Sequence, residues 1–458
     1  MAPLAAARPA PPQQHHHLVL FAGGERSLDG VKYQSFRIPS LVRTPNGALV
    51  AFAEGRVHSS VDYGDIDLVY KRSSDGGRTW SALRSVVRSG TGTWGNPTAV
   101  VDDRTGWIWL FMSWNPPDKS LTGEGRTKRI TRWGDRRVYL ASSGDSGLTW
   151  TAPRNLTRTL VPRGYTWDAV GPGVGIQTRS GPKPGRLVVP ALGRNIYSDN
   201  HGRSWKYQRI PRGTSEGAIV EMQDGTLVRN DRGVSPTWRR APRRWVSRGS
   251  IEEGFSRFQP DYTLVDARVQ GSILRFPGGR SRILFLNPAS TTQRCRMRIR
   301  ISYDDGHTWP IGRALHDGPD APSSCEQDKG GYSSLTAISP TKIGALVEIN
   351  DKSRALQRRS IEFHAVNLGW LLQGRPEPAP QGVPKRRVVR LGKCPKDVVA
   401  EGGTPGKCVA GRRDTDDLGD AVDAGATVTS STSSGRWAGF RHGWPSALDL
   451  GSWLNPRR

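Results

Sequence analysis

The groups in this chain best suited to chemistry are arginines set opposite carboxylates, with one tyrosine among them. Arg37 lies before a Thr44-Pro45-Asn46-Gly47 turn and Arg56 after it. Arg37 and Gly55 are equidistant from Asn46, so Arg37 and Arg56 are expected side by side at a hairpin's open end. Glu216 and Arg232 are equidistant from Asp224 in a second turn and are expected to face each other in the same way. Asp62, Arg294, Tyr332 and Glu348 flank other strand-like runs. Guanidinium forks bind carboxylates and other anions through paired, charge-assisted hydrogen bonds. Tyrosine and carboxylate side chains can transfer protons or attack an electrophilic carbon.

A set of short strands must position these groups. The run ending in Phe36-Arg37-Ile38-Pro39-Ser40-Leu41-Val42 and the run 48–53 form the first hairpin, and Pro39, which has no N–H to donate, marks an edge strand. The next strand, 66–71, enters an octet with fixed residues Ser73, Asp75, Gly77, Thr79 and Trp80. The octet recurs with Ser143, Asp145, Gly147, Thr149 and Trp150, and again with Ser302, Asp304, Gly306, Thr308 and Trp309. Ser198, Asn200, Gly202, Ser204 and Trp205 form a variant. In each copy the Asp or Asn bonds to its own turn, the glycine takes a positive φ and the tryptophan packs back to pin the turn. Four copies are an internal repeat with units of about fifty to seventy residues, the signature of a radial β-sheet array or propeller. In an up-and-down four-stranded sheet, the octets and the tight hairpin turns share one face. Arg37, Asp62, Glu216, Arg232, Arg294, Tyr332 and Glu348 then all map to the opposite rim.

The totals agree. The 458 residues are rich in glycine, proline and tryptophan, and no long stretch has helical periodicity. The formal charge of +26 would attract polyanions, yet the arginines are dispersed and no nucleic-acid module is present, so no nucleic-acid partner is expected. A base composition favouring arginine codons accounts for most of them. Nothing approaches membrane-spanning length. Residues 1–17, including His15-His16-His17, read as a low-complexity tail without the apolar core of a signal peptide. The four cysteines fall in two local pairs, Cys295/Cys325 and Cys394/Cys408, a pattern that fits disulfides in an exported protein better than a metal site.

The Phe36-Arg37-Ile38-Pro39 motif with the Ser-x-Asp-x-Gly-x-Thr-Trp octets (Asp-boxes) resembles the exo-α-sialidases, or neuraminidases, of the six-bladed propeller type. The resemblance covers about residues 18 to 370. It implies an all-β, six-bladed propeller of four-stranded antiparallel blades spanning residues 18–373. It implies three arginines, Arg37, Arg232 and Arg294, around the sugar carboxylate, with Glu348 steadying Arg37 and Arg56 as a further sugar contact. Arg296, Arg298 and Arg300 share a strand face with Arg294 but lie farther from the rim. Tyr332 matches the family's nucleophile and Glu216 its partner. A neutral tyrosine avoids the repulsion that an anomeric carbon bearing a carboxylate would impose on an anionic nucleophile. Asp62 matches the acid/base aspartate, with Asp65 and Asp67 as nearby alternatives.

Two departures stand out. Glu216 follows Thr214-Ser215, where the family often has Asn before the Glu. An insertion, Pro319 to Asp328, carries Cys325, and a Cys295–Cys325 disulfide is suggested to close it beside the site. The reaction needs no metal or other cofactor, and no His/Cys cluster shows ligand spacing. Gly171 to Gln177 resembles a family loop bordering the site. Residues 374–458 read as a linker and low-complexity tail, with Trp437, Trp444 and Trp453 able to dock instead. The resulting expectation is a secreted, monomeric, retaining exo-α-sialidase acting on sialylated glycans. The rivals are a trans-sialidase or intramolecular trans-sialidase, a non-catalytic sialoglycan-binding propeller and a basic polyanion-binding β protein.

Overall fold

Short apolar runs between glycine- and proline-bearing turns favour strands throughout the chain. The computed structural model describes residues 12–378, apart from 235–238, 240, 279–280, 318–323, 326–329 and 352–357. The pair Cys394/Cys408 and the tail tryptophans lie outside the described residues. The first strands are β1 (His15–Phe21), β2 (Ser35–Arg43), β3 (Leu49–Arg56), β4 (Ile66–Ser73) and β5 (Arg84–Val87). Next come β6 (Thr93–Val101), β7 (Ile108–Asn115), β8 (Lys119–Ser120), β9 (Lys128–Arg129), β10 (Arg137–Ser143) and β11 (Arg154–Asn155). They are followed by β12 (Gly173–Val174), β13 (Ile176–Gln177), β14 (Leu187–Ala191), β15 (Arg194–Ser198) and β16 (Lys206–Arg209). Then come β17 (Thr214–Glu221), β18 (Leu227–Gly233), β19 (Arg243–Ser250), β20 (Gly254–Phe255) and β21 (Gln259–Val265). The last are β22 (Ser272–Arg275), β23 (Ile283–Pro288), β24 (Met297–Ser302), β25 (Ile311–Ala314), β26 (Ser333–Ser339), β27 (Lys342–Asp351) and β28 (Arg358–Asn367). The helices Thr157–Leu160 and Leu368–Leu372 are each about one turn.

The class is all-β, as expected, and the sheets are arranged like a propeller. Four-stranded sheets form from β13–β16 and from β22–β25, and a five-stranded sheet from β17–β21. A nine-stranded sheet contains β2–β5 together with β6, β7, β10, β11 and β12; these two groups meet at one parallel pair, Ile66 with Thr93. The first strand completes the last sheet, in the order β1-β28-β27-β26. The inner strands are neighbours in a closed circuit: β26 beside β2, β2 beside β6, β6 beside β14, β14 beside β17, β17 beside β22, and β22 beside β26. β2 ends its sheet, as Pro39 predicts.

The octets behave as the turn chemistry requires, with one addition. Ser73 Oγ donates to Asp75 at 2.8 Å, the Gly77 N–H donates to Ser73 Oγ at 2.9 Å, and Thr79 Oγ1 donates to Asp75 at 2.6 Å. The copies at Ser143 and Ser302 repeat these bonds, while Asn200 in the variant donates to Ser204 Oγ at 2.8 Å. The addition is what the tryptophans and glycines touch. Trp80 packs edge-on against Phe363 of β28, Trp150 against Phe52 of β3, and Trp205 against Phe111 of β7. These three turns therefore fasten their own strands to those that precede them around the circuit, whereas Trp309 of the fourth packs on Phe285 of its own sheet. Gly77, Gly147 and Gly202 have φ between 83° and 88°, and a Cβ on them would fall against Phe363, Val50 and Trp109 of those preceding strands.

Arginines serve as core groups, which composition alone does not suggest. Arg194, Arg229 and Arg244 are fully buried and pair with Asp168, Asp231 and Asp266 at 2.5, 3.0 and 3.4 Å. Buried pairs of this kind are costly to break, at about 3–5 kcal/mol when one partner is removed. The histidine run, expected to lie in the tail, instead opens β1, with His17 opposite His364 of β28. At the other end, Glu377 grips Arg282 through contacts of 2.5 and 2.6 Å, so packing continues beyond the expected boundary at residue 373. The far ends of the inner strands surround a cavity of about 430 Å³ lined by Leu41, Val174, Val220, Leu335 and Arg275, at the opposite end of these strands from the residues singled out for chemistry.

Candidate active site

The site begins with a distortion in β2. Its register against β3 shifts between Arg37 and Ser40, so Arg37 lies opposite Glu54 rather than level with Gly55. Ile38 sits in this bulge at φ 59°, a conformation that costs a β-branched residue about 1–3 kcal/mol. β6 repeats the device: Asn96, at φ 57° and before Pro97, lies in a shift between Gly95 and Thr98. Bulges of this kind re-aim side chains at rims. Arg37 is buried and reaches two carboxylates, Asp62 at 2.8 Å and Glu348 at 3.2 Å.

Glu348, from β27, binds more than Arg37. Its carboxylate accepts the Ile38 N–H at 2.9 Å and the Tyr332 N–H at 3.2 Å. One acid thus fixes the arginine, the bulge beside it and the backbone of the tyrosine. Gly331 makes room, since a Cβ there would meet Glu348 Oε2. Tyr332, just before β26, is 2% exposed and packs on Ile38 and Val269. Its hydroxyl donates to Glu216, and Arg232 Nη1 donates to both, at 3.1 Å to the phenol oxygen and 2.7 Å to Glu216. Glu216 and Arg232 therefore meet at the open end of their hairpin, where β17 is bulged between Thr214 and Gly217. Burial and the Glu216 charge push the Tyr332 phenol well up, against the opposing pull of Arg232, Arg294 and Arg37.

Arg294 lies 5.8 Å from the Tyr332 ring and donates to the Arg268 carbonyl at 3.0 Å. Among the described residues it pairs with no carboxylate. Burial and the neighbouring Arg232 and Arg37 charges lower it. Its neighbour Cys295 is disulfide-bonded to Cys325, with Cα atoms 5.2 Å apart, so the suggested bridge is present.

Asp62 stands in the loop between β3 and β4. Burial alone would raise its carboxyl, but the Arg56 and Arg37 charges overcome burial and hold it at about 2. Arg56 binds Asp62 at 2.8 Å, Glu54 at 2.6 Å and the carbonyls of Ser60 and Val61 at 2.5 and 2.8 Å. Through these bonds Arg56 organises the loop that carries Asp62. Asp67 is tied to Tyr33 and to the Ser89 N–H at 2.8 and 2.7 Å, with Arg88 at 3.9 Å, and among the described residues Asp65 forms no ion pair with Arg37, Arg56, Arg232 or Arg294.

Two arginines here escape sequence reasoning. Arg359 of β28 is pushed down to about 10 by the Arg37 charge and by burial. Arg268, at φ 54°, is lowered to about 10 by burial and by Arg232. Neither belongs to a motif, and in a chain with 67 lysines and arginines only the fold distinguishes them. The segment 171–177, likened to a loop bordering the site, packs on the inner circuit: Ser40 donates to the Gly173 carbonyl at 2.6 Å and Gln270 bridges Pro172 to Ser333, while Val174 to Gln177 line the cavity at the opposite end.

A family model described as a BNR repeat-like domain matches residues 47–344. The chain is 45% identical over 374 residues to an exo-alpha-sialidase of Aspergillus fumigatus, covering 77% of this chain and 89% of the relative. It is 32% identical to a sialidase of Micromonospora viridifaciens, over 74% of this chain and 52% of the relative. Among solved structures, a Hadza microbial sialidase superposes with a TM-score of 0.61 at 27% identity, over 74% of this chain and 67% of the other. The intramolecular trans-sialidase of Ruminococcus gnavus shares the fold, with a TM-score of 0.63 at 19% identity, over 77% and 98% of the two chains. The circuit of sheets, its Asp-boxes and these matches define a propeller-type glycoside hydrolase. Within that class, the chain belongs to the exo-α-sialidase family.

Proposed function

We propose that this sialidase retains anomeric configuration and works through a covalent intermediate on Tyr332. Arg37, Arg232 and Arg294 hold the carboxylate of a terminal sialic acid on a glycoprotein, glycolipid or oligosaccharide. The observation that carries the reading is the bonded set of Tyr332, Glu216 and Arg232. Because the phenol is pushed upward, it attacks while losing its proton and not as a preformed phenolate. The Tyr332 oxygen bonds to the anomeric carbon, its proton passes to Glu216, and the glycosidic oxygen leaves with a proton from Asp62. Water then attacks the same carbon, giving its proton to Asp62, while Tyr332 departs and recovers its own from Glu216. Two inversions leave the configuration unchanged.

Asp62 cannot donate a proton near neutral pH while Arg56 and Arg37 hold it at about 2. The incoming sugar carboxylate competes for Arg37. With that partner engaged elsewhere, Asp62 is less strongly held ionised and can serve as the acid. Arg294, without a carboxylate partner among the described residues, supplies the charge that draws the substrate in.

The same reading counts six blades: β1 with β26–β28, β2–β5, β6 with β7, β10 and β11, β13–β16, β17–β19 with β21, and β22–β25. The catalytic domain runs from β1 to about residue 378. A disulfide beside the site supports an exported, oxidised protein, and the enzyme acts as a monomer. The test is cleavage of an aryl α-sialoside by the protein and by Tyr332→Phe, with the first-formed anomer read by NMR. Expected are initial release of α-sialic acid and a loss of at least about a thousandfold in the variant. Initial β-anomer, or a variant as active as the parent, would overturn the reading.

A further inference from the structure

Sequence spacing shows no ligand cluster, but closure of the last sheet builds one. β1 and β28 are antiparallel neighbours with His17 opposite His364. Alternation puts His15 and His17 on one face of β1, with Glu362 and His364 on the matching face of β28, while His16 points to the other side. His17 Nδ1 is 2.7 Å from Glu362 Oε1, and His364 Nε2 is 3.0 Å from Glu362 Oε2. His316, just beyond β25, brings its Nε2 within 2.8 Å of the same Oε2. Behind this group, His364 Nδ1 lies 2.9 Å from His15 Nε2.

We propose that His17, Glu362 and His364 form a binding site for a divalent transition-metal ion of the zinc class, with His316 placed to complete the set. The three ligand atoms lie within 4.8 Å of one another, close enough for one ion to draw them to its coordination distances of about 2.0–2.2 Å. Imidazole nitrogens with one carboxylate are a donor set such an ion favours. The ion replaces the hydrogens now shared with Glu362. Each neutral imidazole keeps its single N–H on the other nitrogen, so His364 coordinates through Nε2 and donates from Nδ1 to His15. A bonded, oriented ring of this sort is how histidine ligands are fixed in metal sites. The ligands come from the first and last strands, so the ion would clamp the junction that closes the circuit.

The test uses the full chain without an affinity tag, stripped with a chelator and titrated with Zn²⁺ by equilibrium dialysis and metal analysis. Expected are one tightly held ion per chain and a rise in thermal midpoint with Zn²⁺. His17→Ala and Glu362→Gln should each weaken binding at least about tenfold and abolish the rise, whereas His16→Ala should do neither. His17 is exposed and Glu362→Gln conserves shape, so both variants should fold. Failure of the parent to retain Zn²⁺ would overturn the site and leave the group as a hydrogen-bonded strand clamp. Unchanged binding in His17→Ala and Glu362→Gln would also overturn it, as would loss in His16→Ala equal to that in His17→Ala, which would trace binding to the histidine run alone.

Discussion

The two ends of the strands are held by different physics. At the turn end, each octet is contiguous, bonded within itself and repeated, and three of the four tryptophans reach a strand of the preceding sheet. At the site end, residues more than three hundred positions apart share a few carboxylates, and like charges crowd together: Arg359 against Arg37, and Arg268 against Arg232. The turn end is redundant, so one copy can fail while the others hold. The site end has few spare parts, since the one carboxylate of Glu348 ties Arg37, the Ile38 N–H and the Tyr332 N–H together. Stability resides where interactions are local and duplicated, and the proposed reaction centre where they are distant and few.

Glu348→Ala tests the site end hardest. It leaves a buried arginine with one partner fewer and frees the tyrosine backbone. Unfolding by urea should show a loss of about 3–5 kcal/mol, and turnover of an aryl sialoside should collapse in the protein that remains folded. A small effect on both would mean the site end is as redundant as the turns. At the turn end, Gly202→Ala forces an L-residue to φ 83° and drives a Cβ into Trp109. A loss of about 3 kcal/mol is expected from the backbone and overpacking penalties together, with kcat of the folded fraction unchanged. Altered kcat would show that the two ends are coupled.

Asp62 sharpens the contrast through pH. Its folded carboxyl lies at about 2, against an ordinary value of 3.8. A depressed value adds stability that is present above the unfolded pKa and lost as pH falls toward the folded one. The stability gap between the parent and Asp62→Asn should therefore be largest above pH 4 and shrink by about 2 kcal/mol toward pH 2, read from urea midpoints across that range. A constant gap would mean the arginines do not hold the carboxyl down. The smallest effect expected is that of Asp304→Ala, which removes the acceptor of one Asp-box turn. Its cost should be about 1 kcal/mol in denaturation, with activity intact.

What could be read from the chain follows the same division. The octets are visible because a turn's chemistry lies within eight neighbouring residues. The hairpin arithmetic brought Glu216 to Arg232 because a tight turn fixes which residues meet, and the Arg37 pairing slipped by one because the bulge at Ile38 cannot be counted from outside. Arg359 and Arg268 carry no local mark that separates them from the other arginines. The tryptophans' contacts with preceding strands, and the pairing of the histidine run with β28, depend on the closed circuit, which no window of sequence contains.

That the first strand pairs with the last has a consequence for biosynthesis. β1 leaves the ribosome before its partner β28 has been translated, and His15 and His364 are separated by 349 positions. Folding cannot simply proceed from one end to the other. A nascent or truncated chain ending before Arg358 carries Tyr332 and Glu348 but lacks the strand that closes the sheet beside them, and with it Arg359, whose charge acts on Arg37. The architecture makes closure of the circuit a report on the integrity of the polypeptide: only a chain translated through its last strand can pair its two ends.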